Sequence, residues 1–116
     1  MRILAVVAAL LFSMSAAWAG DPVGVYDVQG TNPGGGSRYT GTVTVERTGK
    51  TYRVIWVVGN TRYIGTGIGD HDFLAVSYKS GNDTGLALYG PDGDSWAGIW
   101  AYSGARDVGA EIWHRR

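Results

Sequence analysis

Tyr26, Tyr39, Tyr52, Tyr63, Tyr78, Tyr89, Tyr102 and Trp113 follow one another at intervals of 11 to 15 residues. Such a spacing is one short strand plus one turn, so one aromatic per strand counts eight strands. The stretch Trp96-Ala97-Gly98-Ile99-Trp100-Ala101-Tyr102 shows the period inside a strand, with large rings on one parity and small or aliphatic residues on the other. A period of two belongs to a strand with two unlike faces. Eight consecutive strands joined by tight turns predict an all-β chain, a small eight-stranded antiparallel up-and-down β-barrel, since closure removes the exposed edges of an open sheet.

The ends set the boundaries. Arg2, the apolar run Ile3 to Phe12 and the small residues up to Ala17-Trp18-Ala19 read as a signal peptide over residues 1–19, cleaved near Ala19 and Gly20, for a secreted or periplasmic protein. Residues 20–116 then form a single barrel domain. All 19 glycines fall in this part, and no helix is expected there. Without Arg2, nine basic residues face ten acidic ones, which argues against nucleic acid as a partner. The chain has no cysteine, so neither disulfides nor thiol chemistry is available to it.

Along the chain, Val23 to Val28 is a first strand, and Gly30 to Ser37 is built of turn residues. Tyr39, Gly41, Val43 and Val45 alternate with Thr40, Thr42, Thr44 and Glu46, which gives the second strand an odd-numbered inner face. Two-residue turns at Gly49-Lys50 and Gly59-Asn60 fix register. They set Val45 against Val54, Val43 against Trp56, Glu46 against Arg53, Trp56 against Tyr63, Val54 against Gly65, and Tyr52 against Gly67. Both turns agree on which face of the third strand is inside. Phe73 to Tyr78, a polar loop Lys79 to Asp83, Leu86 to Tyr89, a Pro91 to Asp94 turn, and a last strand from about Val108 to Trp113 follow. His114-Arg115-Arg116 is expected to be a solvated tail. Strands of six to eight residues with Thr, Glu46 and Arg53 outward fit a barrel that does not span a membrane, since outer-membrane strands run about 9 to 11 residues under an apolar band.

Motifs for chemistry are sparse. Gly49-Lys50-Thr51 lacks the earlier glycine and the following helix of a phosphate-binding loop. Asp70-His71-Asp72 has carboxylates and an imidazole, but successive residues of an extended chain point apart. Asp92-Gly93-Asp94 lacks the later residues of a calcium loop. No serine has a Gly-x-Ser-x-Gly surround. Catalysis, a metal and a cofactor are therefore not expected. Glu111 shares the inward parity of Gly109 and Trp113, yet with no partner in view it reads as a tilted, solvated carboxylate.

Gly24-Val25-Tyr26 with Gly30-Thr31-Asn32, then Tyr39-Thr40-Gly41-Thr42-Val43, Leu74-Ala75-Val76-Ser77-Tyr78 and Gly98-Ile99-Trp100, together resemble a group of small secreted bacterial proteins often labelled fibronectin-binding. The resemblance runs from about Val23 to Trp113 and implies a shared fold. The architecture is also similar to that of the avidin and lipocalin barrels and of barrel-shaped periplasmic protease inhibitors. From these come the functional expectations: a non-enzymatic protein binding a host or envelope macromolecule, or a carrier of a small apolar or aromatic ligand, or an inhibitor-like barrel. For a ligand in the interior, the candidate contacts are Trp56, Tyr63 and Trp100. For a protein partner or a second copy, the candidate surface is Ile55, Val57 and Ile64, an outward aliphatic cluster rimmed by Arg53 and Arg62.

Overall fold

The computed structural model describes residues 20–116. Eight antiparallel strands run in chain order: β1 (Gly24–Thr31), β2 (Arg38–Thr48), β3 (Thr51–Val58), β4 (Thr61–Gly69), β5 (Leu74–Ser80), β6 (Asp83–Asp92), β7 (Ser95–Tyr102) and β8 (Gly109–Arg115). Each pairs with the next, and β8 pairs with β1, so the sheet closes into the expected up-and-down barrel. The signal peptide read over residues 1–19 lies outside the described residues. Among the described residues, no helix is long and apolar enough to cross a membrane.

One turn is used four times. Gly49-Lys50, Gly59-Asn60, Gly81-Asn82 and Gly93-Asp94 each join two strands, and their glycines have φ of 62°, 59°, 60° and 61°. No non-glycine residue among those described has a positive φ, so only the first central position is left-handed. That is a type II′ turn, whose twist matches the strands it joins. The two turns read from the sequence set the expected pairs, including Val43 with Trp56 and Trp56 with Tyr63.

Several boundaries differ from expectation, each for a local reason. The Lys79 to Asp83 loop contracts to Gly81-Asn82, with Ser80 opposite Asp83. Pro91 is not in the turn; it lies in β6 opposite Trp96, because Gly93-Asp94 alone reverses the chain. Gly30 and Thr31 belong to β1, where the ring of Tyr39 occupies the space a side chain on Gly30 would need. Strands β2 and β6 reach 11 and 10 residues, longer than anticipated. The C-terminus is no solvated tail, since closure requires β8 to run beside β1 as far as Arg115. The Arg115 guanidinium donates to the carbonyls of Val23 (2.9 Å) and Asp21 (2.7 Å) and lies 4.8 Å from the Tyr26 ring centroid.

All eight periodic aromatics point inward, buried or half-buried. Tyr26, Tyr52 and Trp113, with Val28, Val43, Val45, Val54, Leu74, Val76 and Trp96, fill the half of the barrel near Gly24 and Arg115, and the other five rings stand toward the opposite half. The Tyr26 hydroxyl donates to the Pro22 carbonyl at 2.6 Å. Glycine makes this packing possible. Tyr39 lies over Gly30, Tyr78 over Gly85, Tyr89 over Gly98 and Trp100 over Gly109, each ring on the strand next to its glycine. Inward glycines on neighbouring strands thus let large rings lean sideways rather than collide at the axis.

Candidate ligand site in the barrel mouth

The opposite half is not filled. A cavity of about 150 Å³ sits at the end formed by the 32–37 loop, the Gly59 and Gly81 turns and the 103–108 loop. Its walls are Asn32, Tyr39, Trp56, Val58, Tyr63, Tyr78, Tyr89, Trp100, Tyr102 and Glu111. The three interior residues singled out from the sequence, Trp56, Tyr63 and Trp100, all stand on this wall. Trp56 and Tyr63 are cross-strand partners, and Trp100 packs edge-on to Tyr39 with centroids 6.3 Å apart.

At the base of the cavity lies Glu111, only 7% exposed. Its inward parity was legible, but the solvated side chain expected of it is wrong. Four donors converge on the carboxylate. Oε1 accepts the indole N–H groups of Trp56 (3.1 Å) and Trp113 (2.9 Å) and the Tyr89 hydroxyl (2.8 Å). Oε2 accepts the Tyr39 hydroxyl at 2.6 Å. The register explains the arrangement: Glu111 is flanked by Gly30 on β1 and Gly98 on β7. Tyr39 crosses Gly30 and Tyr89 crosses Gly98, so both phenols reach the carboxylate over vacant glycine positions. The donors offset the cost of burying a charged group.

Two other polar atoms on the wall have no partner. The Tyr78 hydroxyl and the Trp100 indole N–H are buried, and neither makes a hydrogen bond. The phenols around them are held neutral. Burial pushes Tyr102 up to about 12, with the adjacent Tyr63 hydroxyl adding to it. Tyr78 rises further, by burial and then by Tyr102 and Glu111. Tyr39 and Tyr89 are raised by burial first and by the Glu111 charge second; the Trp100 indole, which lies near the Tyr39 hydroxyl without hydrogen-bond geometry, opposes part of the effect on Tyr39.

Outside, Ile55 is half-buried opposite exposed Ile64, and Val57 is exposed beside Arg62. Val57 and Ile64 face outward and Ile55 only in part, and a wider aliphatic run lies elsewhere on the wall. Leu88 stands opposite Ile99, Ile99 opposite Ala110 and Ala97 opposite Ile112, with Leu86 beside them. On β7 the rings take one parity, and the other parity carries this wall. Of the remaining motifs, the Asp70 carboxylate accepts the backbone N–H of Asp72 at 2.7 Å, and His71 is exposed. Among the described residues no three His, Cys, Asp or Glu side chains gather as metal ligands.

Fold and site together define a closed eight-stranded barrel with an aromatic mouth above a hydrogen-bonded carboxylate. No protein-family model matches the chain, and no curated protein matches it.

Proposed function

We propose that this is a secreted, non-enzymatic binding protein that takes a small ligand into the barrel mouth. The observation that carries this is the pair of buried, unpartnered polar atoms, Tyr78 Oη and Trp100 Nε1, on the wall of an open cavity. A buried donor without an acceptor costs about 1 to 3 kcal/mol, and a bound oxygen restores it. The volume is of the order that admits a benzene-sized molecule. A panel of phenol, benzamide, choline and their apolar analogues, followed by melting temperature, tests it. At least one compound is expected to raise the melting temperature by several degrees at saturating concentration. The shift should vanish when Val58→Trp plugs the mouth. If no compound moves the transition, the cavity is not a binding site.

A second reading, docking of a protein partner or a second copy on the outer wall, rests on Leu86, Leu88, Ile99 and Ile112, which are 65%, 50%, 47% and 41% exposed, and on the Ile55, Val57 and Ile64 cluster. Asp27, Glu46, Arg53, Arg62 and Lys79 are exposed around the rest of the barrel, which favours a wall facing water. Sedimentation at high micromolar concentration is expected to show association that Leu88→Lys with Ile99→Lys abolishes. A strict monomer would remove self-association.

A further inference from the structure

Charge around the mouth narrows what it can recognise. Of the cavity's lining residues, Glu111 is the one acid, and none is Lys, Arg or His. Its donors are neutral phenols and indoles, so the carboxylate has hydrogen bonds and no counter-ion. The ion pairs found among the described residues, His71 with Asp72 and Arg116 with Asp27, are exposed and involve none of the lining residues. Buried carboxylates are ordinarily paired, and this one has its opposite charge still to come.

The two oxygens are not equivalent. Oε1 takes three donors and is saturated, whereas Oε2 takes only that of Tyr39. The negative charge on Oε2 is therefore the less shielded of the two. Around it the wall is aromatic, and aromatic rings attract cations through their quadrupole. An anion would meet the Glu111 charge with no cation to offset it. The indole N–H of Trp100 can only donate, so the ligand must also bring an acceptor oxygen.

Resting on the reading that the mouth binds a small ligand, we infer that the ligand class is a compact organic cation: a substituted ammonium that also carries a hydroxyl or carbonyl oxygen. The ammonium stands beside Glu111 and the Tyr39 ring. The oxygen meets Trp100 Nε1 and the Tyr78 hydroxyl.

Calorimetric titration with three probes of one shape tests the charge directly: choline, its uncharged carbon isostere 3,3-dimethylbutan-1-ol, and the anion 3,3-dimethylbutanoate. Choline is expected to bind the unaltered protein at least tenfold more tightly than the alcohol, and the anion not at all. In Glu111→Gln the choline affinity is expected to fall to that of the alcohol. The first comparison needs no variant, so it stands even where the substitution fails to fold. Equal affinity for choline and the alcohol, or tighter binding of the anion, overturns the cation class and leaves the mouth a ligand site. Silence from all three, with a shift from phenol or benzamide in the melting panel, does the same. Silence from every compound in both experiments overturns the ligand site itself.

Discussion

Glu111→Leu is expected to destabilise the barrel by about 4 kcal/mol or more, because it orphans several buried donors at about 1 to 3 kcal/mol each. Those donors are the indole N–H groups of Trp56 and Trp113 and the Tyr89 hydroxyl, with that of Tyr39 nearer the mouth. Trp56, Trp113 and Tyr89 are buried, and Tyr39 is half-buried. A domain of this length has roughly 5 to 15 kcal/mol of stability in all, so the variant should be largely unfolded or close to it. Glu111→Gln is the discriminating control. Its carbonyl can still accept from Trp56, Trp113 and Tyr89, and its amide can donate to a Tyr39 hydroxyl that rotates to accept. The loss should then be about 1 to 2 kcal/mol, the difference between a charged and a neutral acceptor. Urea denaturation followed by tryptophan fluorescence measures both. A Leu variant within 1 kcal/mol of the parent would mean that the carboxylate does not organise the mouth.

Why Glu111 could be aimed from the sequence but not understood follows from how register is encoded. Where a Gly-x pair joins two strands, counting outward from the turn names every cross-strand partner, and the pairs of β2 with β3 and of β3 with β4 came out as counted. No such turn precedes β8. Residues Ser103 to Val108 separate it from β7, and its pairing with β1 arises only when the barrel closes. Parity along β8 was therefore legible, whereas its neighbours Gly30 and Gly98 were not. Those two glycines are what let Tyr39 and Tyr89 reach the carboxylate. The same limit applies to the unpartnered Tyr78 hydroxyl and Trp100 indole, since an unmade hydrogen bond depends on side chains from distant strands. Trp56, Tyr63 and Trp100 were legible as interior because parity alone decides that. The aliphatic wall over β6 to β8 could have been read too. The signal was Leu86, Leu88, Ile99 and Ile112 on the parity opposite the rings, and it needed only the inward rule applied in reverse.

Raising the pH above about 10 is expected to unfold the barrel over a narrow range, and the buried phenols set the sign. In the unfolded chain each tyrosine loses its proton near 10. In the barrel Tyr26 and Tyr102 are pushed up to about 12, in both cases chiefly by burial. Burial likewise raises Tyr52, Tyr39, Tyr78 and Tyr89. Between the two values the unfolded chain holds fewer protons than the folded one, so stability falls as pH rises. The contribution of Tyr26 and Tyr102 is present in full below 10 and is lost from there through about 12, and that of Tyr39, Tyr78 and Tyr89, raised further, goes on falling beyond it. For Tyr89, fully enclosed and beside the Glu111 charge, the slope reaches up to about 1.4 kcal/mol per pH unit, and several such groups act together. Urea midpoints from neutral pH upward, with tyrosinate absorbance and circular dichroism read in parallel, should show ionisation and strand loss in one step. Tyrosines titrating near 10 with the strands intact would contradict it. Tyr78→Phe isolates the effect: its hydroxyl has no partner, so deleting it should leave neutral stability unchanged or improved and make the alkaline fall shallower.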